Sequence, residues 1–406
     1  MGYTRLRRFQ RLSGSLFRYN KLVLERHSIH KAPAKNTLGA PYILMTKPMT
    51  NATPKVNIQQ LRKVLLFWYD ANKRDLPWRS HRSTPYQIWL SEIMLQQTTV
   101  VTVIPYFNEF IRRWPKVENL ATADLDEVLH AWQGLGYYAR ARNLHACAKV
   151  ISSKHNGRFP DTVGELLSLP GIGPYTASAI GAIAFGRPVV PVDGNVERVM
   201  ARLHAVTQPL SSAKKLLAEE AGAFASDHRP ADLAQALMEL GALVCRPTSP
   251  ECGECPWSQD CRARQTNQQQ TYPVRNPKKT KPTRQGVVFW VRNKDGSIML
   301  RRRVEKGLLG GMMEFPSTEW QEMLPGKTTI ISSAPLACEW TVVPGRVRHT
   351  FTHFHLELTA WLGEADGEIT EGVVWVTPDQ FSDFALPTLM KKVARHVEGS
   401  NKDEKQ

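Results

Sequence analysis

Apolar runs long enough to cross a bilayer are missing from the 406 residues, which argues against a helical membrane protein. Acidic residues are scarce as well. Against 53 Lys and Arg stand 37 Asp and Glu, a formal charge of +16. That excess speaks against a cationic partner and for a polyanion, of which nucleic acid is the commonest. The scarcity is sharpest at the start, where the first fifty residues hold ten Lys or Arg and one acid, Glu25. Cysteine is sparse too, with Cys147 and Cys338 standing alone among six. The chain is too long for a disulfide mini-domain, and no secretory h-region with a small-residue cleavage site precedes it.

The other four cysteines fall within seventeen residues, as Cys245-x6-Cys252-x2-Cys255-x5-Cys261. In a reducing compartment such clustered thiolates read as a metal site. Zinc usually takes two short CxxC knuckles, and only Cys252/Cys255 is short. The wider arms suit a larger object, so a 4Fe–4S cluster is favoured over zinc or unligated thiols.

Composition divides the chain. An Arg-rich, acid-poor tail, residues 1–56, is read either as a targeting segment or as the product of a start codon placed too early, with Met45 or Met49 as the true start. It is left out of the fold. Residues 57–264 carry helical patterning nearly throughout and predict an all-α domain. Thr84-Pro85 supplies an N-cap and a proline at the first helical position. Tyr86, Trp89, Leu90, Ile93, Met94 and Gln97 then follow helical spacing, the apolar members forming a stripe. Further helices are predicted over 124–133 and 137–155, the latter stopped by Asn156-Gly157. Residues 265–285 are polar, basic and proline-containing, and predict a linker. From 286 to 397 strand patterns dominate: Val287–Val291 and Ser297–Arg301 around an Asp295-Gly296 hairpin turn, then Glu339–Val343, Val347–Leu358 and Gly372–Thr377. A helix from Pro387 to Val397 closes this small α+β domain, and 398–406 is read as a polar tail.

Leu169-Pro-Gly171-Ile-Gly173-Pro-Tyr175 places two glycines in a tight turn directly before a helix. Converging backbone N–H groups and the positive end of the helix dipole make a seat for a phosphate there; the plainer alternative is a helical corner without a ligand. Glu92 stands off the apolar stripe of its helix, beside Trp89 and Met94. A carboxyl held against such neighbours gains a raised pKa and can serve as an acid near neutral pH, although a lone helical glutamate is usually a surface residue. Asp193 precedes a helical run, where a plain N-cap would also explain it.

The glycine turn followed by this cysteine spacing resembles the endonuclease III-like superfamily of helix–hairpin–helix DNA glycosylases. Ser91–Thr98 (SEIMLQQT), Gly134–Leu144 (GLGYYARARNL) and Val192–Val196 (VDGNV) are similar to the adenine DNA glycosylases of the MutY type. The resemblance covers about residues 57–396. It implies that Glu92 protonates adenine, that Asp193 stabilises positive charge on the sugar, and that Asn195 assists by hydrogen bonding to Asp193 or a phosphate. Bifunctional relatives carry a lysine where Tyr175 stands, and a phenol cannot form a Schiff base, so a monofunctional enzyme is implied with Tyr175 orienting the intermediate. Tyr137 and Gln97 match residues inserted into the duplex when the base is flipped, with core packing the alternative for Tyr137. Arg140 and Arg142 suit phosphates or a carboxylate partner. Trp78, Arg79 and Gln235 match positions lining the adenine pocket.

Gly307-Leu-Leu309-Gly-Gly311 and Arg348–His355 (RHTFTHFH) resemble the Nudix-related domain that reads 8-oxoguanine opposite adenine. An acidic run of REUxEExGU type is missing, so recognition rather than hydrolysis is expected. Thr352 replaces the usual serine of the reading loop beside His353, and Leu309 replaces a common tryptophan. His353 and His355 could share a strand face as a weak metal pair. The expected partner is double-stranded DNA with adenine opposite 8-oxoguanine or guanine, bound by a monomer without a membrane. The expected compartment is cytoplasm or nucleoid in a bacterium, and organelle or nucleus if the basic tail targets. The rival readings are a bifunctional pyrimidine-damage glycosylase/lyase and a DNA damage-binding protein without activity.

Overall fold

A computed structural model of the chain describes residues 57–403, apart from 81, 278–279, 305–306 and 368–371. The basic tail, with Met45 and Met49, lies outside the described residues. No helix among them is long and apolar enough to cross a membrane.

Twelve α-helices are described up to Gln265: α1 (Ile58–Asn72), α2 (Pro85–Leu95), α3 (Val100–Arg113), α4 (Val117–Thr122), α5 (Leu125–Ala131), α6 (Ala139–His155), α7 (Val163–Leu167), α8 (Pro174–Phe185), α9 (Gly194–Leu203), α10 (Leu210–Gly222), α11 (Pro230–Glu239) and α12 (Arg262–Gln265). Local chemistry sets their ends. Thr84 and Gln87 form a capping box at the start of α2: Thr84 Oγ1 accepts from the Gln87 N–H at 3.3 Å, and Gln87 Oε1 accepts from the Thr84 N–H at 2.9 Å. Asn156 ends α6 in the left-handed region at φ 51°. Two apolar cores hold the helices. One, around Trp89, Phe110 and Trp132, joins α2, α3, α6 and α8. The other, around Tyr69, Phe224 and Trp257, joins α1, α9, α10 and α11.

Helix α2 departs from the stripe that its spacing predicts. Ser91 and Glu92 are buried along with Tyr86, Ile88, Trp89, Leu90, Ile93 and Met94, so burial is not confined to one apolar face. Gln97 lies beyond its end, at φ 56°, rather than on it. Helix α6 likewise starts two residues later than expected, because Tyr137 takes φ 48° and stands outside.

The second domain is a seven-stranded mixed sheet: β1 (Thr283–Arg292), β2 (Ile298–Arg302), β3 (Met313–Glu314), β4 (Thr341–Val342), β5 (Val347–Thr350), β6 (His355–Glu364) and β7 (Val373–Val376). The main path runs β3-β2-β1-β6-β4, with β5 on β6 and β7 on β2. β1 and β6 pair in parallel, Thr283 opposite His355. Helices α13 (Lys327–Ser332) and α14 (Thr388–Asp403) complete it. Apolar clusters form on either side of β1, Val288 and Trp290 facing one and Val287, Phe289 and Val291 the other.

Several boundaries differ from those the sequence predicts. Val347–Leu358 is two antiparallel strands, because the Phe351 N–H bonds to the Phe354 carbonyl (2.9 Å) and turns the chain. The Glu339–Val343 strand shrinks to Thr341–Val342. The linker ends at 282, and it is not a free tether. Tyr272 is buried, and the Val274 carbonyl accepts from the Leu210 N–H at 2.8 Å. The expected polar tail is helical to Asp403, since nothing in 398–403 breaks α14.

The sheet domain also enters the first core. Met312 and Ala385 are buried within it, and Leu309 packs against both that core and the sheet's own. The leucine-for-tryptophan difference thus falls at a packing position. Arg302 bonds both Asp126 carboxylate oxygens (2.5 and 2.6 Å), and Gln133 links to Lys391 Nζ (2.7 Å) and the Phe384 carbonyl (2.7 Å).

Candidate active site

A cleft of about 1200 Å³ opens between the two helical cores. Helices α2 and α8 line one wall with Glu92, Gly173 and Tyr175; the start of α9 and the end of α11 line the other with Asp193, Asn195, Gln235 and Glu239. Trp78, Arg79, Gln97 and Gly171 complete it. The sequence-expected residues of the first domain therefore converge, Tyr137, Arg140, Arg142 and the cysteines excepted.

Glu92 is 5% exposed. Burial pushes its carboxyl up to about 7, against the Tyr175 hydrogen bond and the Arg79 charge, which lower it, while Asp193 raises it further. The Tyr175 hydroxyl donates to Glu92 Oε2 at 2.8 Å and stands 3.3 Å from Met238 Sδ. Burial, followed by the nearby Glu92 and Asp193 carboxylates, lifts the phenol well above its ordinary value, so it stays a donor. The group beneath the cleft is thus a carboxyl that exchanges its proton near neutral pH.

Asp193 is an N-cap and more. Its Oδ1 accepts from the Asn195 and Val196 N–H groups (2.9 and 2.8 Å), and its Oδ2 from the Asn195 amide (2.6 Å). Asn195 thus bonds to Asp193, one of the two partners the sequence leaves open. Its own carbonyl accepts from Arg198 (2.8 Å), whose Nε donates to the Cys245 carbonyl at 2.7 Å. This chain from carboxylate to cysteine loop escaped sequence reasoning, because Arg198 reads there as one more basic helix residue.

Gly171 and Gly173 differ in what they need. Gly171 has φ +74°, and a Cβ there would lie 2.6 Å from Asn143 Cβ; Gly173 is an ordinary extended N-cap for α8 at φ −96° with open space around it. Trp78 is buried edge-on to Phe107 (5.2 Å). Gln235 donates to the Ala231 carbonyl (3.1 Å). Arg140 donates to the carbonyls of Ile93, Met94, Leu135 and Gly136, within 2.9–3.1 Å, and holds α2 to the loop before α6. Arg142 reaches across to the Gly310 carbonyl.

Tyr137 is not core: it is 47% exposed, and its hydroxyl lies 2.9 Å from Thr352 Oγ1. Thr352 and His353 are exposed at the tip of the β5–β6 turn, with Phe351 and Phe354 (5.0 Å apart) packed behind. His353 and His355 do not share a strand face as expected, because His353 lies in the turn and only His355 is on β6, where its Nδ1 bonds Thr350 Oγ1 at 2.9 Å.

Cys245, Cys252, Cys255 and Cys261 all border one small cavity with Arg202 and Arg264. No three His, Cys, Asp or Glu side chains among the described residues are placed to hold a single metal ion. Four thiols bordering one hollow are a donor set that a shared metal group could use. Arg246, in the same loop, pairs with Glu251 (2.6 Å).

Residues 90–222 match the HhH-GPD superfamily of base excision DNA repair proteins, and residues 287–396 match the NUDIX domain. The adenine DNA glycosylase of Homo sapiens is 35% identical over 409 residues, covering 84% of this chain and 74% of that one. Its counterpart in Arabidopsis thaliana is 39% identical over 413 residues, covering 82% and 64%. In Mycolicibacterium smegmatis the adenine DNA glycosylase is 46% identical over 201 residues, covering 49% and 68%. By this likeness, long and spread across both domains, the chain belongs to the adenine DNA glycosylases.

Proposed function

We propose that this protein excises adenine paired with 8-oxoguanine or guanine by monofunctional hydrolysis of the N-glycosidic bond, working as a monomer on double-stranded DNA. The observation that carries the proposal is Glu92, buried under the cleft at about 7 beside Tyr175 and Asp193. Everted adenine enters between Trp78, Arg79 and Gln235. Glu92 donates its proton to the base, making adenine a better leaving group, and afterwards serves as base for water. Asp193, held by Asn195, steadies the positive charge that grows on the sugar. Tyr175 orients the intermediate; having no amine, it forms no Schiff base.

Tyr137 and Gln97 occupy the gap left in the duplex, both held outward by left-handed backbone. Thr352 and His353 face the opposite base. Gly171 and Gly173 present backbone N–H groups to a phosphate. Residues 57–264 are thus the excising domain and 286–397 the reading domain. Cys245, Cys252, Cys255 and Cys261 would hold a 4Fe–4S cluster, which supplies a structural brace for the loop ending at α12.

Duplexes carrying A opposite 8-oxoguanine, A opposite T, or oxidised pyrimidines test the reading on a denaturing gel. Strand breaks should appear only at the mispaired adenine and only after alkali. Glu92→Gln should lower the single-turnover rate by about 10²–10⁴-fold. Breakage without alkali, with a borohydride-trapped adduct, would instead mark a lyase.

A further inference from the structure

Glu239, the last residue of α11, is fully buried, yet no step above uses it. Two guanidinium groups close on its carboxylate. Arg74 donates from Nε to both oxygens (3.0 and 2.9 Å) and from Nη2 to Oε1 (2.6 Å), and Arg79 donates from Nη2 to Oε1 at 2.8 Å. Burial alone would raise this carboxyl, but the two arginines outweigh it and hold it below its usual range. A buried carboxylate so held is not a spare proton carrier. Arg79 has one arm left over: its Nη1 is buried, lacks a hydrogen-bond partner among the described residues, and belongs to a side chain lining the cleft with Glu92.

We propose that Glu239 is a positioning residue for excision, turning the free arm of Arg79 toward the everted base while offsetting its charge so that Glu92 keeps its proton. The inference rests on the reading of Glu92 as the acid. Glu92 faces Tyr175 from α8, Asp193 from the start of α9 and Arg79 from the turn after α1, with Arg74 and Glu239 behind Arg79 in the same wall. Arg79 already pulls the Glu92 carboxyl downward. Arg74, Arg79 and Glu239 together carry one net positive charge. Making Glu239 neutral leaves two, and removing Arg74 leaves none. The two changes therefore push Glu92 in opposite directions, which mere loss of packing would not do.

The test is the single-turnover excision rate of the full chain against pH, at saturating enzyme, on a duplex with A opposite 8-oxoguanine. The wild-type rate should fall as pH rises through about 7. In Glu239→Gln that fall should move about 0.5–1 pH unit lower, giving roughly a three- to tenfold extra loss at pH 8. Arg74→Met should move it upward by a similar amount, and Glu239→Asp, which keeps the charge, should leave it in place. A folded Glu239→Gln variant with the wild-type profile would overturn the proposal, as would a downward shift in Arg74→Met. Should Glu239→Gln not fold, Arg74→Met decides, because its side chain is a third exposed. Failure of the underlying reading looks different: the wild type would lack the falling limb, or Glu92→Gln would keep its rate.

Discussion

The proton on Glu92 is set by three neighbours and a lack of water. Tyr175 donates to Glu92 Oε2 at 2.8 Å and so favours the ionised carboxylate, against the burial that disfavours it. Removing that hydroxyl in Tyr175→Phe should push the Glu92 carboxyl further up. The alkaline fall in rate then moves to higher pH, while the rate below it drops; stopped single turnovers at pH 6–9 read both. Glu92, Asp193 and Tyr175, which line one cleft, could be singled out in the sequence because they stand in contiguous motifs. Arg140 was not. Beside Arg142 in GLGYYARARNL it looks like a phosphate contact, whereas four of its acceptors are backbone carbonyls, two in α2 and two in the turn just before α6. Partners of that kind leave no trace in residue type. Glu239 and Arg198 escaped for the same reason, since a charged helix residue reads as solvated until its burial is known.

Among the elements, the turn from α7 to α8 shows how two similar glycines divide their tasks. Gly171→Ala forces an L-residue to φ +74° and brings its Cβ onto Asn143, at a cost of about 2 kcal/mol or more. Gly173→Ala meets open space at an ordinary φ and should leave the melting temperature nearly unchanged. Thermal unfolding of the two variants side by side checks the contrast. Capping signals such as Thr84-Pro85 and Asn156-Gly157 were readable because they act within one turn. The split of Val347–Leu358 was not, since its cause is the pairing of Phe351 with Phe354 in a run of strand-forming residues without glycine or proline. Helix α2 misled in another way: a stripe predicts one buried face, and here the polar face with Ser91 and Glu92 is buried beneath the cleft as well.

At the level of the molecule, the joint between the domains combines charge and packing, and the two differ in weight. Arg302 and Asp126 make a well-formed bidentate pair, but their side chains are 38% and 53% exposed. Such a pair contributes about 1 kcal/mol or less. Met312 is wholly buried in a core made mainly of the other domain, and emptying that space costs about 2–5 kcal/mol. Denaturant unfolding should therefore show Met312→Ala well below wild type and Asp126→Asn close to it. The change from a helical to a sheet domain was visible in the sequence pattern. That Leu309, Met312 and Ala385 would plug a helical core was not, because no local pattern marks a residue for a partner two hundred positions away.

The meeting of Tyr137 with Thr352 has a consequence for how a duplex is sampled. In the free protein these hydroxyls already satisfy each other at 2.9 Å. Under the proposed reading, a base arriving between them must trade for that bond rather than add to it, and such exchanges leave a net gain of only about 0.5–1.5 kcal/mol. Ordinary pairs offering no better match would be passed over quickly, and dwell time would lengthen where the replacement bonds are stronger. Selectivity at that point becomes a difference between two bonding arrangements, so a protein that binds DNA firmly through its positive charge can still travel along it.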